Sequence, residues 1–157
     1  MAAYYPPAGF NFRVEFEFLA GETQDIHFQE VSGLAAEITT EELVEGGENR
    51  FNHRLPTRAK YANLILKRGL LTDSKLIDWI THAVENLEAN PGVAGQEPTS
   101  VYVTLLNEEQ KPVADTYSFV RAWPVKWSVS DFKAMDNSLV IETLELSYQY
   151  FEKTKLS

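Results

Sequence analysis

The sequence contains no cysteine. Disulfide cross-links, thiolate metal sites and cysteine nucleophiles are therefore excluded. No apolar run reaches the roughly 18 residues that a membrane-spanning helix needs. Short catalytic signatures are also missing. No Ser stands in a Gly-x-Ser-x-Gly setting, and Gly46-Gly47 lacks the Lys-Ser/Thr ending of a phosphate-binding loop. His27, His53 and His82 have no His or acidic partner at zinc-helix spacing, so neither a metal nor a cofactor site is expected. Positive charge is scarce: 14 Lys plus Arg stand against 23 Asp plus Glu, a formal charge of −9. Such a surface repels phosphate backbones and disfavours nucleic-acid binding. Met1 to Phe10 show no basic region followed by an apolar run, so no secretory signal is expected and synthesis in the cytoplasm is.

What is present suits one domain. The 157 residues are 44% hydrophobic and 24% charged, ordinary globular usage for a single core over residues 1–157. Phe10, Phe12, Val14, Phe16 and Phe18 alternate with polar residues, the period of a half-buried strand. A turn at Gly21-Glu22 predicts a hairpin continuing through Ile26 and Phe28. A further strand carries Leu34, Ala36 and Ile38 on one face, and another runs from Asn63 to Arg68 with Leu64 and Leu66 together. Between them, 45–60 lose all periodicity around Gly46, Gly47 and Pro56, which predicts a long loop of functional kind. Thr72 or Asp73 can cap a helix over about 73–89, with Leu76, Ile77, Ile80, Val84 and Leu87 on its apolar stripe. Residues 90–99 read as a linker. Strand patterns return at Val101–Leu106, at Tyr117 to Trp127, and from about Leu139 to Phe151. The expected class is mainly β (α+β): two antiparallel sheets forming a sandwich or barrel, flanked by one α-helix.

Reaction chemistry finds little support. The carboxylate pairs Glu41-Glu42 and Glu108-Glu109 are adjacent in sequence and read as solvated polar faces. Trp123 and Trp127 could stack a sugar or a base, the basis of an alternative reading as a carbohydrate-binding module; in a strand-rich chain such residues more often fill cores and interfaces. The chain reads as a non-enzyme.

One segment asks for a partner. Glu37, Glu41, Glu42, Glu45 and Glu48 form an acidic block without a basic residue. Arg50, Arg54, Arg58, Lys60, Lys67 and Arg68 follow as a basic block without an acidic one. Copies bearing both blocks attract head to tail, a contact that closes into rings or opens into filaments. Alternatively, the two arms of one hairpin pair with each other. The candidate interface comprises Glu41, Glu42, Glu45, Gly46, Gly47, Glu48, Asn49, Arg50, Phe51, Arg54, Arg58 and Lys60.

Several stretches, in fixed order over most of the chain, resemble the inner tube proteins of contractile phage tails and extracellular contractile injection systems. They are Tyr4-Tyr-Pro-Pro-Ala-Gly-Phe-Asn-Phe-Arg-Val-Glu-Phe16, Phe28-Gln-Glu-Val-Ser-Gly-Leu34, Glu45-Gly-Gly-Glu-Asn-Arg-Phe51 with Leu55-Pro-Thr-Arg58, Leu66-Lys-Arg-Gly-Leu70 with Asp78-Trp-Ile80, and Ile141-Glu-Thr-Leu-Glu-Leu146. The resemblance implies a structural subunit assembled as hexameric rings that stack into a hollow conduit. It also implies a contractile sheath outside, a baseplate and spike at one end, and membership of a phage tail or of an injection particle that can leave the cell. The loop 45–60 would reach a neighbouring subunit or ring. The stretch 90–99 is longer than the family's passage from helix to strand, which leaves open a baseplate-proximal tube initiator.

Overall fold

A computed structural model describes residues 11–19, 21, 27–44, 46–47, 53–71, 74–89, 98–131 and 139–155. The strands are β1 (Asn11–Phe16), β2 (His27–Phe28), β3 (Glu30–Ser32), β4 (Ala36–Leu43), β5 (His53–Tyr61) and β6 (Leu64–Gly69). After the helix α1 (Lys75–Ala89) come β7 (Thr99–Leu106), β8 (Thr116–Val129), β9 (Ile141–Ser147) and β10 (Tyr150–Thr154).

Eight strands form one antiparallel ladder in the order β2-β1-β7-β8-β9-β6-β3, with β10 also on β8. The 14-residue strand β8 belongs to two leaves. Its first half pairs with β7 and β10, and its second half with β9. Between them Arg121 takes φ 53° and the register slips between Pro124 and Lys126. Such irregularities bend a strand sharply and let one sheet fold over itself. His27–Ser32 crosses from the edge of one leaf to the edge of the other, with the Gln29 N–H donating to the Lys67 carbonyl at 2.9 Å. Among the described residues the ladder does not close on itself, so the architecture is sandwich-like.

The core lies between the leaves. Val14, Phe16, Phe28, Leu64, Leu66, Val101, Val103, Phe119, Leu144 and Leu146 are buried there, and α1 adds Leu76, Trp79 and Ile80. Each such side chain contributes about 1.5–3 kcal/mol by leaving water. The alternation read at Val14 and Phe16, at Leu64 and Leu66, and at Leu144 and Leu146 is the alternation that packs.

Several expectations are corrected. Residues 53–60, expected inside a loop, belong to the strand β5, paired along its length with β4. Pro56 is tolerated because β5 is an edge strand, where a missing N–H breaks no second ladder. The first strand stops at Phe16; a short 3-10 turn follows, leaving Phe18 half-exposed against Trp79 at 5.0 Å. The strand expected from Leu139 to Phe151 is two strands, because the chain switches at Tyr148-Gln149 from β6 and β8 to β8 alone. The helix is capped by Ser74, whose Oγ accepts the Ile77 N–H at 3.3 Å. Its buried stripe runs through Leu76, Trp79, Ile80 and Ala83, with Val84 exposed. Thr72, Asp73 and 90–97 lie outside the described residues, and Thr99 already belongs to β7.

Candidate functional site: an exposed hairpin

β4 and β5 form a two-stranded sheet of their own. Nearly every residue of both strands is exposed. An isolated two-stranded hairpin is at best marginal in water, so a ribbon with two bare faces lacks the cover that the body has.

Cross-strand partners share a face, which fixes the chemistry of each side. One side carries Ala36 opposite Tyr61, Ile38 opposite Ala59, Thr40 opposite Pro56, and then Glu42 opposite Arg54. The other carries Glu37 opposite Lys60, Thr39 opposite Arg58, Glu41 opposite Leu55, and Leu43 opposite His53. Apart from Thr40, the first side is apolar from its base to Pro56. Ile38, at its centre, is 65% exposed, and Leu43, Val44 and Leu55 are also open to solvent. Where the register slips between Thr39 and Thr40, hydroxyls brace the ribbon. The Thr39 and Thr57 hydroxyls lie 2.9 Å apart, and they donate to the Arg58 and Thr39 carbonyls at 3.1 and 3.0 Å.

The two charge blocks therefore face each other within one hairpin. The Arg54 Nε lies 3.6 Å from the Glu42 Oε1, with both side chains more than half exposed. Of the candidate interface residues, Glu41 and Glu42 sit on β4, Arg54, Arg58 and Lys60 on β5, and Gly46 and Gly47 in a turn near the tip. Gly47 takes φ +101, a conformation that favours glycine. Glu45, Glu48, Asn49, Arg50 and Phe51 lie outside the described residues. Charge reasoning singles out this segment and overlooks its apolar face. The signal was present in Ala36 and Ile38, whose alternation reads equally well as core.

A second polar cluster lies inside the body. The Arg68 Nε donates to the Glu142 Oε2 at 2.8 Å and its Nη2 to the Ser74 Oγ at 2.8 Å. The Trp127 Nε1–H donates to the Glu142 Oε1 at 2.7 Å, and the guanidinium sits 5.0 Å from the centre of the Phe28 ring. Arg68 and Glu142 are almost wholly buried. Their charges are matched and their hydrogen-bonding groups engaged, which ties α1 to the second leaf.

Elsewhere, a cleft of about 510 Å³ is lined by Gln29, Lys67, Ser128, Thr143 and neighbours; among the described residues its charges are Lys67 and Glu30, which lie 3.8 Å apart and offset each other. Among the described residues no three His, Asp or Glu side chains gather to hold a metal. Trp123 pairs in register with Ser147 and Trp127 with the buried Leu144. Those β9 partners point to opposite faces, so the two indoles form no common platform for a sugar ring.

The family profile described as T4-like virus tail tube protein gp19 matches residues 8–152. Among solved structures, the chain is similar to one from the anti-feeding prophage (AFP) baseplate, 6-fold symmetrised, at 29% identity over 99% of this chain and 98% of that one, with a TM-score of 0.77. It shares the fold of a chain from the PVC sheath-tube complex, an extracellular contractile injection system in its extended state, at 20% identity over 98% and 94%, TM-score 0.75. It also shares the fold of Hcp1 from Flavobacterium johnsoniae, at 14% identity over 92% and 94%, TM-score 0.52. No curated protein matches the sequence.

Proposed function

Because the chain belongs to the T4-like virus tail tube protein gp19 family and is a structural tube subunit of contractile injection systems, we propose that copies of it form hexameric rings which stack into a hollow conduit. The observation that carries this reading is the hairpin β4–β5, bare on both faces and apolar on one. A second copy supplies the cover that the chain itself lacks. The contact is heterologous: the hairpin of one subunit meets a different surface of the next, the geometry that closes into rings.

The interface centres on Ile38 and its neighbours, with Glu41, Glu42, Arg54, Arg58 and Lys60 around it setting register. Since part of that charge is already matched within the hairpin, charge guides orientation more than it adds affinity. The sheath outside and the baseplate and spike at one end complete the partners, within a particle that works beyond the cell. The subunit turns over no substrate; it is a rigid passage through which cargo moves when the sheath contracts.

A second reading, the baseplate-proximal tube initiator, is favoured by one observation: identity is 29% to a chain of the AFP baseplate and 20% to one of the PVC sheath-tube complex. Electron microscopy of the purified protein separates the two. Long tubes support the repeating subunit, isolated rings support the initiator, and a protein monomeric at every concentration overturns both. Arg54→Glu combined with Arg58→Glu impairs assembly without unfolding the monomer; normal rings and tubes from that variant would remove the charged residues from the interface.

A further inference from the structure

The hairpin is not a separate appendage. The pair β3–β6, with Val31 opposite Leu66 and Ser32 opposite Ile65, resumes as β4–β5 with Ala36 opposite Tyr61. Between the two stretches the ribbon turns a corner at 33–35 and 62–63. Its elements are held from three directions.

At Gly33 the two backbones touch. The residue takes φ +86, and a Cβ there would stand 1.9 Å from the Asn63 carbonyl oxygen. Any side chain must push the strands apart, and no flexible atom can yield, because the obstacle is backbone. The turn is closed by the Ala35 N–H donating to the Gly33 carbonyl at 2.8 Å and the Ala62 N–H donating to the Ala35 carbonyl at 3.3 Å. On the second side, the Asn63 Nδ2 donates to the Glu145 Oε1 at 2.9 Å, tying the corner to β9. On the third, the Tyr61 ring packs 5.9 Å from Tyr148 and 5.4 Å from Phe151.

A root fixed in this way, below a ribbon that among the described residues is hydrogen-bonded to no other strand, is an aiming device. An eight-residue strand is about 26 Å long, so a turn of roughly 20° at the root carries the tip about 9 Å, farther than a side-chain contact tolerates. We propose that Gly33 and Asn63 are positioning residues for assembly: they set the launch direction of the hairpin so that its apolar face meets a second copy already aligned. Alignment before contact removes ordering cost from docking. The proposal rests on the reading of the hairpin as the docking arm.

The lack of cysteine makes the test direct. Spin labels on Glu41→Cys in the hairpin and Glu152→Cys on β10 report hairpin direction by pulsed electron resonance in dilute protein. The parent gives one narrow distance distribution. Gly33→Ala shifts or broadens it, and raises the concentration needed for assembly about tenfold or more, the change that 1.4 kcal/mol of lost docking free energy brings. Asn63→Ala, which keeps the Gly33 contact and removes only the amide bond to Glu145, does the same more weakly and carries the test if Gly33→Ala fails to fold. Far-ultraviolet circular dichroism and thermal unfolding of the Asn63→Ala body remain close to the parent. If the parent assembles and both variants assemble at its concentration, or Asn63→Ala alone does where Gly33→Ala does not fold, the positioning role is overturned and the tube reading stands. If the parent never assembles, the tube reading falls and takes the aiming role with it.

Discussion

The body and the hairpin are made of similar antiparallel strands, and they differ in what covers them. In the body, leaf covers leaf, and the Arg68–Glu142 pair is sealed at 3% and 2% exposure. In the hairpin, water covers both faces, and the Glu42–Arg54 pair stands in it. The same pairing chemistry thus has opposite worth in the two places. Inside, each charge depends on its partner, because an unpaired buried ion is intolerable. Outside, water is nearly as good a partner as the other ion. The body keeps its fold by its own contacts; the hairpin's surface stays exposed, and in the proposed assembly a second copy covers it.

The largest expected effect tests the sealed pair. Glu142→Ala strands a buried guanidinium and also orphans the Trp127 indole N–H, and it costs about 3–5 kcal/mol in chemical unfolding. The double replacement Arg68→Met with Glu142→Leu recovers most of that loss, since no lone charge remains. A single substitution costing less than about 1 kcal/mol would erase the contrast between the two regions.

Next comes the hairpin's apolar side. Ile38→Asp leaves monomer stability within about 0.5 kcal/mol, as surface changes usually do. It abolishes tubes in electron microscopy at concentrations where the parent forms them. A strongly destabilised monomer would mean that Ile38 belongs to the core of its own chain.

A smaller effect lies where the two regions meet. Tyr148 is buried beside Tyr61 at the hairpin root, and among the described residues its hydroxyl has no hydrogen-bond partner. Burial, and then the neighbouring Tyr61, push its phenol above the ordinary 10.0. With the folded value raised, this stabilisation is whole below about pH 10 and is lost as pH climbs through the folded value, because the unfolded chain releases its proton first. Tyr148→Phe flattens that alkaline decline in thermal unfolding and changes stability at pH 7 by about 1 kcal/mol or less, since no made hydrogen bond is removed. A decline as steep in the variant as in the parent would assign the alkaline sensitivity elsewhere.

The contrast also decides what was legible in the sequence. Strands covered on one face announce themselves by alternation, as Val14 and Phe16 or Leu64 and Leu66 do. A strand covered on neither face has no such pattern. β5, with His53, Arg54, Pro56, Arg58 and Lys60 facing both ways, reads as loop, although its charge makes the segment stand out. Pairings across long separations are equally silent: Arg68 and Glu142 lie 74 residues apart, and nothing local links them. The slip between Pro124 and Lys126 was invisible as well, and it turns two tryptophans of equal parity to opposite faces. The stretch Val31-Ser-Gly-Leu34 resembles the family in sequence; only the close approach of the Asn63 carbonyl gives a physical reason for its glycine.

The smallest effect is the sharpest measure of the hairpin's isolation. Arg54→Ala removes the partner of Glu42 from a pair in which the side chains are 72% and 54% exposed. An exposed cross-strand ion pair is worth about 0.2–1 kcal/mol, and solvent on both faces puts this one at the low end. Monomer stability should therefore fall by about 0.5 kcal/mol or less, and by less still in 1 M salt, where the screening length is about 3 Å. Glu142→Ala, measured in the same salt series, should keep its cost, because ions do not reach a sealed pair. If the two substitutions instead responded alike to salt, either the sealed pair would be open to solvent or the hairpin would be covered by its own chain. In the second case the hairpin would need no second copy to cover it.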